Sequence, residues 1–239
     1  MAGSLEIPEA PQIDYASLGV YDQDEAAENA FARVLLLGAS KIGKTTCIAM
    51  TAPDPFIINC DGDSSLKYAK KQGAKFRATD ALSQAGWRKA CNTAKTLVES
   101  GACRSVIVDT ISMLADNLQV QLAATREGYD LYGELMKEIM GGVRKLLKLP
   151  AHVFFVAHIS PDWDEVSGVM PMIAGSSKAR IPALVDDWVL LDVDPERDPQ
   201  RMFVLGTHKK WAHSGRNIKR SCMIEATVPR LFEELGIRL

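Results

Sequence analysis

The chain has 239 residues, 47% of them hydrophobic and 24% charged, with a net charge of −2. That length suits one large α/β domain, and the near-neutral balance argues against a broad basic face, so any nucleic-acid binding must be local or arise from a row of subunits. No apolar run approaches the thickness of a bilayer, and the opening MAGSLEIPEAPQIDY has no basic region followed by an apolar core. The expectation is a cytoplasmic protein with no membrane partner.

Residues 1–30 show little periodic hydrophobicity, carry Pro8 and Pro11, and include the acidic stretch Asp22-Gln23-Asp24-Glu25. They read as a loosely ordered arm ahead of a folded domain over residues 31–239. Arg33–Leu37 is a short apolar run and predicts the first strand. It is followed at once by GASKIGKT, Gly38 to Thr45, which satisfies the phosphate-binding pattern G-x-x-x-x-G-K-[ST]. Thr46-Cys47-Ile48-Ala49-Met50 can then open a helix. A strand delivers the loop, the glycines let successive N–H groups turn inward, and the helix N-terminus adds its positive end. Gly38, Ala39, Ser40, Lys41, Ile42, Gly43, Lys44, Thr45 and Thr46 thus form a candidate nucleoside triphosphate cradle. In it Lys44 reaches the β- and γ-phosphates, and the Thr45 hydroxyl holds magnesium.

Further along, Phe56–Cys60 predicts a second strand ending in Asp61-Gly62-Asp63. Helices are expected over Ser65–Lys71 and Ala81–Ser100. Ser105–Asp109 predicts a third strand, an apolar run ending in an acid; in P-loop ATPases such an acid sits at the carboxyl end of the strand beside the loop and holds magnesium through water. Thr110–Ala124 and Leu131–Leu147 predict helices, Val153–His158 a fourth strand, and Val189–Val193 and Arg201–Gly206 later ones. Strands buried on both faces and separated by helices imply a mainly parallel sheet with helices on each side. The cysteines (Cys47, Cys60, Cys91, Cys103, Cys222) are odd in number and lack C-x-x-C spacing, so they read as reduced thiols and not as a zinc site.

Asp61 and Asp63 close a strand on the side where ligands bind in open α/β folds, so either could polarise the attacking water. The same Asp-Gly-Asp is also ordinary turn chemistry. His158 ends a buried strand otherwise free of polar groups and could contact the γ-phosphate, or merely cap the strand. In the long glycine-bearing stretch Ser160–Asp187, Lys178 and Arg180 could touch a phosphodiester backbone, or be solvated loop charges. The segment Thr207–Arg220 is the chain's one positive cluster, with Lys209, Lys210, Arg216, Lys219 and Arg220 around Trp211. It could bind nucleic acid, act on a neighbour's ATP, or be a solvated hairpin.

Taken together, GASKIGKT, FIINCDGD, VIVDT, LYGELMKEIMGGVRKLLKLPAHVFFVAH, MPMIAGSSKARIPALVDDWVLL and the basic segment resemble the RecA-like ATPases. The resemblance is to the phage-encoded single-domain group of AAA-type nucleotide-binding proteins, whose Sak-type members are single-strand annealing recombination ATPases. It runs from about Arg33 to Arg220. It implies a RecA-like P-loop core using ATP and Mg2+, with the catalytic carboxylate at Asp61 or Asp63, the magnesium-linked acid at Asp109 and a sensor at His158. It also implies a DNA-facing loop around Gly175, and Lys209 or Lys210 acting on a neighbour's ATP. The implied partners are single-stranded DNA, further copies of the chain in a ring or filament, and a single-strand-binding protein. RecA itself has a glutamate and a glutamine where this chain has aspartates and a histidine. Two rival functions remain at this point: a nucleotide-dependent assembly protein indifferent to DNA, and a small-molecule kinase, for which Arg180 is the one plausible lid arginine.

Overall fold

Alternation along the strands sets the architecture. In the computed structural model, β1 (Arg33–Gly38) sends Leu35 and Leu37 into one apolar layer, and Val34 and Leu36 into the other. The same two-residue period divides β2 (Pro55–Asn59), where Phe56 and Ile58 face one layer and Ile57 the other. It recurs in β4 (Ser105–Asp109) and in β5 (His152–His158). A strand with both faces apolar is stable only between two covering layers, and each fully buried Leu or Ile adds roughly 1.5–3 kcal/mol relative to exposure. The structure describes residues 31–160, 169–196, 198–206, 215–218 and 220–237, with the backbone alone at Asp63. The expected N-terminal arm lies outside them.

Helices supply both covers. α1 (Lys44–Thr51), α2 (Asp63–Lys71) and α7 (Val228–Leu235) pack on one face. On the other lie α3 (Gln84–Glu99), α4 (Ile111–Ala123), α5 (Gly128–Leu147) and α6 (Ser177–Leu184). With β3 (Arg77–Asp80), β6 (Asp187–Val193), β7 (Arg201–Leu205) and β8 (Cys222–Glu225), the eight strands take the order β3-β2-β4-β5-β1-β6-β7-β8. The first six of that order run parallel, and β7 and β8 add antiparallel pairs. The fold is the expected α/β core, a mainly parallel sheet with helices on both faces. One detail departs from the sequence expectation: β5 and β6, not the Asp109 strand, are the neighbours of β1. Asp109 comes from one strand further out, and His158 ends the strand between.

Local chemistry explains several boundaries. The Ser83 hydroxyl accepts from Gly86 N at 3.0 Å, so α3 starts three residues later than its apolar pattern suggested. Thr110 likewise caps α4 by accepting from Met113 N at 3.2 Å. Arg33 donates to the carbonyls of Leu147, Leu149 and Ala151, tying the carboxyl end of α5 to the start of β1. Four elements were not read from the sequence: β3, α6, β8 and α7. β3 is an edge strand with mostly exposed side chains, α6 contains Pro182, and β8 is only four residues long. Among the described residues no helix is long and apolar enough to cross a membrane.

Candidate functional site

The six parallel strands end along one edge, and the phosphate loop leaves β1 there. Gly43 adopts φ +105°, open to glycine, and a Cβ at this position would lie 2.8 Å from Arg201 Nε. At Gly38 a Cβ would meet the Leu191 carbonyl oxygen at 3.0 Å. Gly43 is thus favoured by its backbone conformation, and Gly38 by the close approach of the Leu191 backbone. Lys44, only 4% exposed, donates from Nζ to the carbonyls of Gly38 at 2.8 Å and Ala39 at 2.7 Å. Its ammonium thus closes the loop on itself, and burial pushes its pKa down to about 8 against the opposing pull of Asp109 and Asp61. A cleft of about 510 Å³ opens over the loop, walled by Ser40, Lys41, Gly43, Lys44, Thr45, Thr46, Asp61, Thr110 and His158, with Ser64, Ser65, Tyr68 and Arg201 completing it. That size suits a nucleotide.

Asp109 is wholly buried at the end of β4, where its Oδ1 accepts from the Thr45 hydroxyl at 3.0 Å. Its other oxygen, Oδ2, is buried with no hydrogen-bond partner among the described residues. Burial lifts its pKa to about 6; the Thr45 bond opposes the rise, Asp61 adds to it and Lys44 opposes it. An orphaned carboxylate oxygen beside a hydroxyl is a donor set that fits a hard cation such as Mg2+. Thr45 and Asp109 are the residues that could hold one.

Asp61 is exposed on the cleft wall, and its charge is felt at Lys44, Asp109 and His158. Its backbone is placed by β2: Asp61 N donates to Asn59 Oδ1 at 3.3 Å, while Asn59 Nδ2 donates to Asp80 at 2.7 Å. The side chain of Asp63 lies outside the described residues; its backbone opens α2. His158 Nδ1 stands 3.4 Å from Lys44 Nζ. With Lys44 protonated, its ammonium donates and this ring nitrogen accepts. Burial and the Lys44 charge both lower the pKa of His158, opposed by Asp61 and Asp116. Its backbone N–H donates to Ser112 Oγ at 3.0 Å, and its carbonyl accepts from Met172 N at 2.8 Å. The second bond belongs to a two-stranded ribbon, with Ser160 N donating to the Met170 carbonyl. Residues 161–168 connect the arms of that ribbon and lie outside the described residues.

The remaining candidates are not gathered at the cleft. Lys178 and Arg180 are exposed on α6, just after Gly175, and make no ion pair among the described residues. Arg216 and Arg220 sit at the opposite edge of the sheet. The Arg216 N–H donates to the Asp186 carbonyl just ahead of β6, and its side chain pairs with Asp186 at 3.2 Å. Arg220 precedes β8 and pairs with Glu234 at 2.9 Å. Lys209, Lys210 and Lys219 lie outside the described residues. Sequence reasoning missed Arg201, the first residue of β7, and Tyr68 on α2. Neither stands in a motif; only the strand order brings β7 alongside the loop.

A family model described as an AAA domain matches residues 30–217. The chain belongs to that family. The match takes in the phosphate loop, Asp109, His158 and most of the basic segment. No curated protein matches the sequence. Among solved structures the chain is similar to a KaiC-like protein from the hyperthermophilic archaeon Pyrococcus horikoshii OT3. The TM-score is 0.45 and the identity 12%, over 81% of this chain and 85% of that one.

Proposed function

We propose that this AAA domain binds and hydrolyses ATP with Mg2+ and couples the cycle to single-stranded DNA in phage-type, Sak-like recombination, repair or replication. The observation that carries the reading is the meeting, at one cleft, of Lys44, the Thr45–Asp109 pair, Asp61 and His158. Lys44 exchanges its loop carbonyls for the phosphates of the bound nucleotide. Bound magnesium supplies further neutralisation of phosphate charge, with Thr45 and Asp109 as its protein partners. Asp61 orients water and accepts its proton as the water oxygen bonds to the γ-phosphorus and the bond to the leaving ADP oxygen breaks. Asp63 is the alternative for that role. His158 touches the nucleotide side through Lys44 and the ribbon through its carbonyl, which suits it to report the γ-phosphate to the 160–176 stretch. Lys178 and Arg180 beyond that ribbon are the DNA contacts in this reading, and Lys209 or Lys210 completes the site of a neighbour in a ring or filament. A single-strand-binding protein is a further partner in the same reading.

A second reading has its own support. Arg216 and Arg220 pair with acids of the chain itself, and the net charge is −2, which favours an assembly protein that uses ATP without responding to DNA. ATP hydrolysis measured with and without single-stranded DNA separates the two, with Lys44→Ala as the blank. Stimulation by DNA that vanishes in Lys44→Ala is the expected result. Nucleotide binding with no response to DNA transfers the proposal to assembly.

A further inference from the structure

Arg201 stands where no motif would place a cation. It opens β7, the first antiparallel strand beyond β6, opposite Val193. Its Nε donates to the Ile42 carbonyl at 2.9 Å, so the guanidinium is tied to the phosphate loop itself. The tie is close enough that a Cβ on Gly43 would lie 3.3 Å from the guanidinium carbon. Arg201 is exposed and makes no ion pair among the described residues, in contrast to Arg88, Arg104, Arg216, Arg220 and Arg230, each of which pairs with a carboxylate.

Two adjoining hollows share this side chain. One is the phosphate cleft; the other, about 250 Å³, follows α1 past Thr46 to Met50. Lys44, Asp61 and His158 line only the first, whereas Gly43, Thr46, Tyr68 and Arg201 line both. Arg201 therefore stands at the junction, on the side of the loop away from His158. A guanidinium held through Nε keeps its two terminal nitrogens free to donate in one plane, the geometry that suits phosphate oxygens.

We propose that Arg201 is a phosphate-contacting residue of the nucleotide site, binding an inner phosphate at the nucleoside end of the chain while Lys44 and His158 attend the γ end. The proposal rests on the nucleotide reading of the cleft and adds to it a cation from the chain's own β7. Because the contact is with a phosphate common to di- and triphosphates, ATP and ADP depend on it equally.

Calorimetric titration of the full chain with ATP, ADP and adenosine in the presence of Mg2+ tests this, using Arg201→Ala, Arg201→Lys, His158→Ala and Lys44→Ala. Arg201→Ala is expected to weaken ATP and ADP by the same factor, on the order of tenfold or more for a lost charged hydrogen bond, and to leave adenosine unaffected. Arg201→Lys keeps the charge but not the fork and recovers part of the loss. His158→Ala is expected to weaken ATP alone. If the unsubstituted chain binds ATP and Arg201→Ala binds ATP and ADP equally well, the proposal is wrong and the nucleotide reading stands. If Arg201→Lys is as weak as Arg201→Ala and both melt at lower temperature without ligand, Arg201 is only a brace for the loop and the proposal fails. If the unsubstituted chain binds neither nucleotide, the reading of the cleft fails, and this proposal with it.

Discussion

Lys44 and Asp109 are both buried at the carboxyl edge of the parallel strands. Lys44 is pushed down to about 8 and Asp109 up to about 6, each chiefly by loss of water. The consequence for stability has a definite sign. Between the ordinary 3.8 and about 6 the folded chain keeps a proton on Asp109 that the unfolded chain has released. Stability therefore falls as pH rises through that interval and levels above it. Asp109→Asn removes the ionisation; in chelator at pH 7 its urea midpoint should exceed that of the unsubstituted chain, by up to about 3 kcal/mol in free energy. Function has the reverse dependence, because cation binding needs the ionised carboxylate. ATP affinity in Mg2+ should rise as pH increases through about 6 and decline above about 8, where Lys44 loses its charge. Binding isotherms across pH 5–9 check both limbs.

At the level of elements, the cleft depends on how helices seat the strands. α3 and α5 meet where Trp87, 1% exposed, lies against Gly142; a Cβ there would fall 2.2 Å from the indole ring. The indole N–H donates to the Glu138 carbonyl, and the Glu138 carboxylate receives Arg88 and Gln84. Gly142→Ala should therefore destabilise by about 1–3 kcal/mol through overpacking, despite alanine's better helix propensity, and thermal melting would show it. α5 was legible from Leu135, Ile139, Val143 and Leu146 at helical spacing, all of which are buried. The need for glycine at 142 was not, because the constraint comes from a tryptophan 55 residues away in sequence. β3 escaped for another reason: RATD has no apolar face, and it is a strand because β2 offers it an open edge.

For the whole molecule, the proposed ring or filament predicts nucleotide-dependent self-association. The expected site takes a cation from a neighbour, so turnover should rise with protein concentration, and ATP with Mg2+ should drive self-association. Sedimentation of the chain with ATP, with ADP and without nucleotide measures this; a monomer under all three conditions would remove the ring or filament from the proposal. The layout bears on the geometry of such an assembly. The phosphate cleft lies at the carboxyl edge of the parallel strands, while Arg216 and Arg220 flank the opposite edge.

The sequence by itself determined the phosphate loop, the acid-ended strand and the alternating layers. These are local matters: a loop pattern needs only its flanking strand and helix, and a two-residue period shows both faces of a strand to be apolar. The tertiary structure decided what touches the loop. It placed β5 between β1 and β4 and so set His158 beside Lys44. It placed Asp61 on the cleft wall, and carried Arg201 across from β7 to the Ile42 carbonyl. Ile42 and Arg201 are 159 residues apart. A contact over that separation is fixed by strand order, which no local pattern records.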